Sequence, residues 1–219
     1  MASENMVDGW RGLQAGSRNA FLYSERGVAG VLHTIMFNRA LGLVRPKDID
    51  SELFEITYVQ CGDAAIEKKI EEKIDNFVSW VEKHPNKKSQ VCLSFYETRN
   101  KQMAWFSSKT ERLYWEQWCI YLNVQTAQSN PKPHYGDTTD VSTEERDKRH
   151  AALEAALREV ILQILRYVNE KKDHIPPVMR GADVVSFPYE INIPSSSDSS
   201  FGMDMFKRML QTTPPAMLS

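Results

Sequence analysis

The period of the apolar residues switches between about 3.6 and two along this chain, and the order of the switches does most to limit its fold. From about Glu25 to Leu41, residues Val28, Val31, Leu32, Ile35 and Met36 recur at spacings of three and four, which predicts a helix. Gly42 is expected to cap it, and Pro46 closes the exit. Phe54, Ile56 and Tyr58 then alternate with Glu55, Thr57 and Val59, a strand pattern, and Cys61-Gly62-Asp63 supplies the turn after it. A second helix is expected from about Asp63 to Lys83, with Ile66, Ile70, Ile74, Phe77, Val78 and Val81 on one stripe and Pro85 at its end. Val91, Leu93 and Phe95 alternate in one strand, and Trp118, Ile120, Leu122 and Val124 in the next. Between them, Arg99 to Thr110 is polar except for Met103-Ala104-Trp105-Phe106 and reads as an exposed connection.

Residues Gln125 to Val141, with Pro131, Pro133 and Gly136, form the longest expected loop. Ser142 and Glu145 make a capping-box pattern that opens a third helix, running to about Lys172. Its stripe is Leu153, Leu157, Val160, Ile161, Ile164, Leu165 and Val168, and Pro176-Pro177 blocks its continuation. Phe187, Tyr189, Ile191 and Ile193 form a last strand. Ser195 to Ser200 follows as a Ser/Asp-rich linker, and Met203 to Leu210 as a short amphipathic segment. Strands do not alternate regularly with helices. The expected class is therefore α+β, with helices on one face of a largely antiparallel sheet.

Composition enters as an exclusion. With 27 Lys+Arg against 29 Asp+Glu and 42% hydrophobic residues, the chain is neither a disordered tail nor a basic nucleic-acid binder. No apolar run is long enough to span a membrane. Cys61, Cys92 and Cys119 are few, odd in number and widely spaced, which points to a reducing compartment, the cytosol or nucleus.

No pattern of catalytic chemistry emerges. Phosphate-binding GxxxxGK[ST] and GxGxxG loops are absent, as are HExxH and GxSxG. No two of His33, His84, His134, His150 and His174 stand three or four residues apart, so a helical metal pair is missing. Cys119 is a candidate thiol nucleophile, but a free cysteine on a strand is more often a small buried hydrophobe. Glu55, Glu97, Glu111 and Glu116 lie near strands, where two could converge as an acid/base pair or simply face solvent. The basic run Lys83-His84-Pro85-Asn86-Lys87-Lys88 reads foremost as a solvated loop. No cofactor and no metal are expected, and the chain is read as no enzyme.

Two features point to protein contacts instead. Trp105 and Phe106 stand together inside a polar frame, and exposing each costs roughly 1.5–3 kcal/mol relative to burial. Aromatic anchors of this kind are enriched at binding hot spots, although one ring could equally plug the end of a sheet. On the third helix, Leu162 falls nearly opposite Leu153, near Ala151 and Ala155 and rimmed by Arg158, Glu159 and Arg166. A small apolar patch with a charged rim has the anatomy of a modest interface.

Several stretches resemble the HORMA-domain family of autophagy-related protein 101, in its plant-like form. They are Val31-Leu32-His33-Thr34-Ile35 through Leu41-Gly42-Leu43-Val44-Arg45-Pro46-Lys47-Asp48, then Phe54-Glu55-Ile56-Thr57-Tyr58-Val59 and Trp105-Phe106. Leu113-Tyr114-Trp115-Glu116-Gln117-Trp118 and Ile193-Pro194-Ser195-Ser196-Ser197-Asp198 complete the set. The resemblance covers about Val28 to Ser219, in order and with matching element lengths.

It implies a HORMA domain over 28–219, a largely antiparallel sheet backed by three helices, preceded by an irregular lead-in over 1–27. It implies a non-catalytic scaffold subunit of the autophagy-initiating kinase complex, in the cytoplasm and at the phagophore assembly site. Such a subunit pairs with the HORMA domain of autophagy-related protein 13 and recruits downstream factors through an exposed Trp-Phe finger. The finger falls on Trp105 and Phe106, with Ala104 before it. The pairing surface is expected to include Ala155, Arg158 and Leu162. No nucleic-acid partner and no integral membrane span are implied, with peripheral recruitment at most. The alternative within the same fold is a chromatin-associated HORMA adaptor that captures a closure peptide. Family members also begin with an alternating strand before the first helix. Phe21-Leu22-Tyr23 is the one candidate remnant of it in this chain.

Overall fold

A computed structural model of the chain describes residues 18–42, 44–84, 89–104, 107–122, 139–178 and 185–193. The first helix, α1, spans Arg18–Asn38. It begins several residues before the expected Glu25, so Phe21-Leu22-Tyr23 lies in helix and is no strand remnant, and the lead-in expected to be irregular is helical from Arg18 on. The stripe is as expected: Val28, Val31, Leu32, Ile35 and Met36 are fully buried. The chain leaves α1 through a backbone bond from Leu41 N–H to the Val185 carbonyl (2.8 Å) and a bridge between Ala40 and Ser186.

Two short antiparallel strands follow, β1 (Lys47–Asp50) and β2 (Thr57–Gln60), in register from Lys47 opposite Gln60 to Asp50 opposite Thr57. The alternation beginning at Phe54 predicts a longer strand than forms. Phe54 instead turns into the core and stacks on His150, with ring centroids 5.4 Å apart. β1 carries no hydrophobic alternation because three of its four residues are exposed.

Gly62 closes this region with φ of 65°, where a Cβ would stand 2.3 Å from the Arg45 carbonyl oxygen. Helix α2 (Ala64–Lys83) starts directly after it, with the Asp63 carboxylate accepting from Ile66 N–H at 2.9 Å. Ile66, Ile70, Ile74, Phe77 and Val81 are buried, as the stripe predicts.

Strands β3 (Ser89–Ala104) and β4 (Ser107–Leu122) form one long antiparallel hairpin. The polar stretch expected as a connection, Arg99 to Thr110, is therefore strand on both arms up to Ala104 opposite Ser107. It lacks a one-sided apolar pattern, and its strand pairing is with the other arm of the hairpin. Strand β5 (Tyr189–Asn192) pairs with β3 over Cys92 to Phe95, giving the order β4-β3-β5. Beyond that pairing the hairpin runs on as a two-stranded ribbon for roughly 30 Å.

Helix α3 (Thr139–Glu170) starts before the expected capping box, so Ser142 and Glu145 lie inside it. Leu153, Leu157, Val160, Ile164 and Val168 are buried, and α1 packs against both α2 and α3. The molecule is α+β, with antiparallel strand pairs and three helices, consistent with the HORMA arrangement. Among the described residues the strands make two sheets, β1-β2 and β4-β3-β5, where one was expected. The loop over 125–138, the linker Ser195 to Ser200 and the segment Met203 to Leu210 lie outside the described residues.

His33 is buried on α1, 5% exposed, with Nε2 3.2 Å from Gln60 and its ring stacked on Tyr58. Burial favours the neutral ring and lowers its pKa from 6.5 to about 4. The unfolded chain therefore binds a proton that the folded chain refuses, and stability is lost as pH falls from 6.5 towards 4, by about 3 kcal/mol in all. Urea titrations across that window are expected to show a steeper loss for the wild type than for His33→Gln. Gly62→Ala is expected to lower stability by about 2–3 kcal/mol in the same assay at pH 7, because alanine resists the left-handed backbone and meets the Arg45 carbonyl.

Candidate protein-interaction site

Helix α3 is two-faced along its C-terminal half. The side opposite the buried stripe leaves Ala151, Ala155, Arg158, Glu159, Leu162 and Arg166 exposed, and Leu162 is 44% accessible. Ala151, Ala155, Arg158, Leu162 and Arg166 recur at helical spacing, so they form one stripe. A loop does lie beside it, but only at its edge. Glu55 N–H donates to Glu154 at 3.3 Å, and Arg158 reaches the Glu55 carbonyl at 3.4 Å and Glu154 at 2.8 Å. Arg158 is thus braced at the rim, while Leu162 stays uncovered.

The hairpin supplies the second feature. Trp105 and Phe106 are the residues between the last paired positions, Ala104 and Ser107, and they lie outside the described residues. The base of the ribbon is well held. Phe95 stacks on Trp115 (5.4 Å), which meets Phe187 edge-on (4.8 Å). Tyr96 packs against Tyr114 (5.5 Å) and beneath the Arg112 guanidinium (4.8 Å). Arg112 and the Tyr114 hydroxyl both donate to the Glu190 carboxylate, at 3.0 and 2.8 Å. These contacts tie β3, β4 and β5 together where the ribbon leaves the sheet.

Beneath both features lies a polar hub that the amphipathic patterns do not reveal. Arg39 Nε donates to both oxygens of Glu116, at 3.0 and 2.8 Å, and both side chains are buried. Glu116 also accepts from the Trp118 indole N–H and lies 2.6 Å from His174 Nε2. The Arg39 guanidinium reaches the Val168 and Lys171 carbonyls at the end of α3, at 3.3 and 3.4 Å. Burial alone would raise the Glu116 pKa. The hydrogen bond with His174 and the Arg39 charge overcome it and hold the carboxyl below its usual range. The available signal was a charge on each apolar pattern: Arg39 just after the first stripe, and Glu116 between Trp115 and Trp118.

This hub also settles Glu116 as a structural carboxylate rather than half of an acid/base pair. Glu55 is exposed, and Glu97 lies on the ribbon beside Arg99 (3.4 Å). Among the described residues no group of three His, Cys, Asp or Glu could hold a metal ion. Of the basic run, Lys83 ends α2, His84 caps it and stacks on Trp80, and 85–88 lie outside the described residues. No helix among the described residues is long and apolar enough to cross a membrane.

Comparison with known proteins gives one consistent family. The family model described as Autophagy-related protein 101 matches residues 25–182. Autophagy-related protein 101 of Arabidopsis thaliana is 60% identical over 193 residues, covering 86% of this chain and 88% of that protein. Its counterpart in Xenopus tropicalis is 29% identical over 114 residues, covering 46% of this chain and 51% of that protein.

Arg39→Met is expected to destabilise the fold by about 3–5 kcal/mol, because it leaves the Glu116 carboxylate buried without its main partner. The double change Arg39→Met/Glu116→Leu is expected to recover a large part of that loss in equilibrium unfolding.

Proposed function

The chain belongs to the autophagy-related protein 101 family, and on that premise we propose that it is a non-catalytic scaffold of the autophagy-initiating kinase complex. The family supports a role in autophagy. The finer reading is that the exposed side of α3 pairs with the HORMA domain of autophagy-related protein 13. The observation that carries it is Leu162, an exposed leucine in line with Ala155 and beside Arg158, on a helix whose opposite face is core. Leu162 is 44% accessible, so burying the rest of it contributes about 1 kcal/mol to association.

In this reading Trp105 and Phe106 form a second, separate site that recruits downstream factors. The ribbon supports it. The hairpin whose two arms lead to the Trp-Phe segment is anchored at its base by Arg112, Glu190 and the Tyr96–Tyr114 pair. The scaffold works in the cytoplasm and at the phagophore assembly site, where it is recruited peripherally. The family membership leaves the chromatin-adaptor alternative without support.

The test separates the two surfaces. Leu162→Asp is expected to abolish co-purification with autophagy-related protein 13 while lowering the chain's own stability by about 1–2 kcal/mol, so that it stays folded. Trp105→Ala/Phe106→Ala is expected to leave folding and pairing intact and to remove recruited factors from pull-downs. Unfolding of that double variant would show that the rings belong to the core and overturn the finger reading.

A further inference from the structure

Cys92 and Cys119 are directly opposite each other on β3 and β4. Directly opposed residues of an antiparallel pair have Cα atoms roughly 4.5 or 5.5 Å apart. A disulfide accepts about 4.4–6.8 Å, so either spacing lies within its Cα range. Both cysteines are free thiols, and as directly opposed residues their side chains project from the same face of the sheet.

The two are not equivalent. Cys92 is 0% exposed yet lies outside the apolar cluster that the helices cover, because Val91, Leu93 and Phe95 take the opposite face of the strand. Cys119 is only partly buried. Its surroundings are polar and open, with Gln117 bonded to Ser94 on one side (2.8 Å) and the exposed Tyr121 on the other.

We propose that Cys92 and Cys119 are a redox-responsive dithiol, which hydrogen peroxide converts to a cross-strand disulfide at the base of the hairpin. Cys119, the reachable sulfur, reacts first as its thiolate. Its sulfur bonds to one peroxide oxygen as the O–O bond breaks, and the departing hydroxide takes up a proton as water. The Cys92 sulfur then attacks the Cys119 sulfenic acid. The S–S bond forms, the S–O bond breaks, and the second hydroxide leaves as water with the Cys92 proton. Two thiols lose two electrons, and one peroxide becomes two waters.

The Cys119 sulfur beside it, and burial, hold the Cys92 thiol protonated, which keeps it from reacting alone and makes it the resolving partner. Cys61 has no such partner, and burial pushes its thiol up to about 11, so it stays reduced. A disulfide between adjacent strands is commonly strained and easily reduced, which suits a reversible switch rather than a permanent staple. Once formed, it fixes the register of the arms that lead to Trp105 and Phe106.

The test treats the reduced full chain with hydrogen peroxide, blocks remaining thiols by alkylation, and maps peptides without reduction. The expected product is a peptide joining Cys92 to Cys119, with Cys61 alkylated and the link reversed by dithiothreitol. Cys92→Ser is expected to stop at a Cys119 sulfenic acid trapped by dimedone, and Cys119→Ser to leave Cys92 alkylatable. Wild-type chain in which Cys119 over-oxidises while Cys92 remains a thiol would overturn the proposal. So would links only between separate chains, or no loss of the two thiols at all. The decisive readout is on the wild-type protein and does not depend on either variant folding.

Discussion

The buried pair of Arg39 and Glu116 is the constraint on which the rest of the structure leans. Placing two charges out of water is costly, and their attraction offsets that cost only when every remaining donor and acceptor is used. Here Glu116 is held by Arg39, Trp118 and His174, and Arg39 also reaches two carbonyls at the end of α3. The geometry therefore ties the end of α1, the middle of β4 and the exit of α3 to one point. Apolar packing is tolerant of small slides, whereas a charge-assisted hydrogen bond is directional. The hub therefore sets how α3 lies against α1, and hence which of its residues face outward.

The exposure of the outer stripe of α3 follows from that placement. With Leu153, Leu157, Val160, Ile164 and Val168 committed to the core, the opposite stripe with Ala155 and Leu162 has nowhere to go but solvent. The hairpin base sits on the same hub, since Trp115 is flanked by Phe95, Phe187 and His174. A well-held base thus gives way to a long two-stranded ribbon that ends at Ala104 opposite Ser107. The thiol pair lies on the stretch of β3 that also pairs with β5, before the hairpin runs on as a ribbon.

Much of the fold was legible in order because burial imposes its own period. The stripes from Val28 to Met36, from Ile66 to Val81 and from Leu153 to Val168 are long enough to identify helices and their inner faces unaided. The same helical period marked Leu162 as outward-facing. Boundaries were less legible. Arg18–Tyr23 and Thr139–Asp140 are helical without an apolar stripe to announce it, and β1 has a single apolar residue, Ile49.

What the sequence determined by itself is the set of faces: which side of each helix and core strand must be hidden, since that depends only on local spacing. The tertiary structure alone decided the pairings across distance. Arg39 met Glu116, Cys92 met Cys119, and the polar arms from Tyr96 to Ala104 and Ser107 to Tyr114 became one ribbon. Those outcomes depend on strand register and on the irregularity between Phe95 and Tyr96, which shifts every later partner. No local pattern encodes a register. It is selected by the whole packed set of contacts at once.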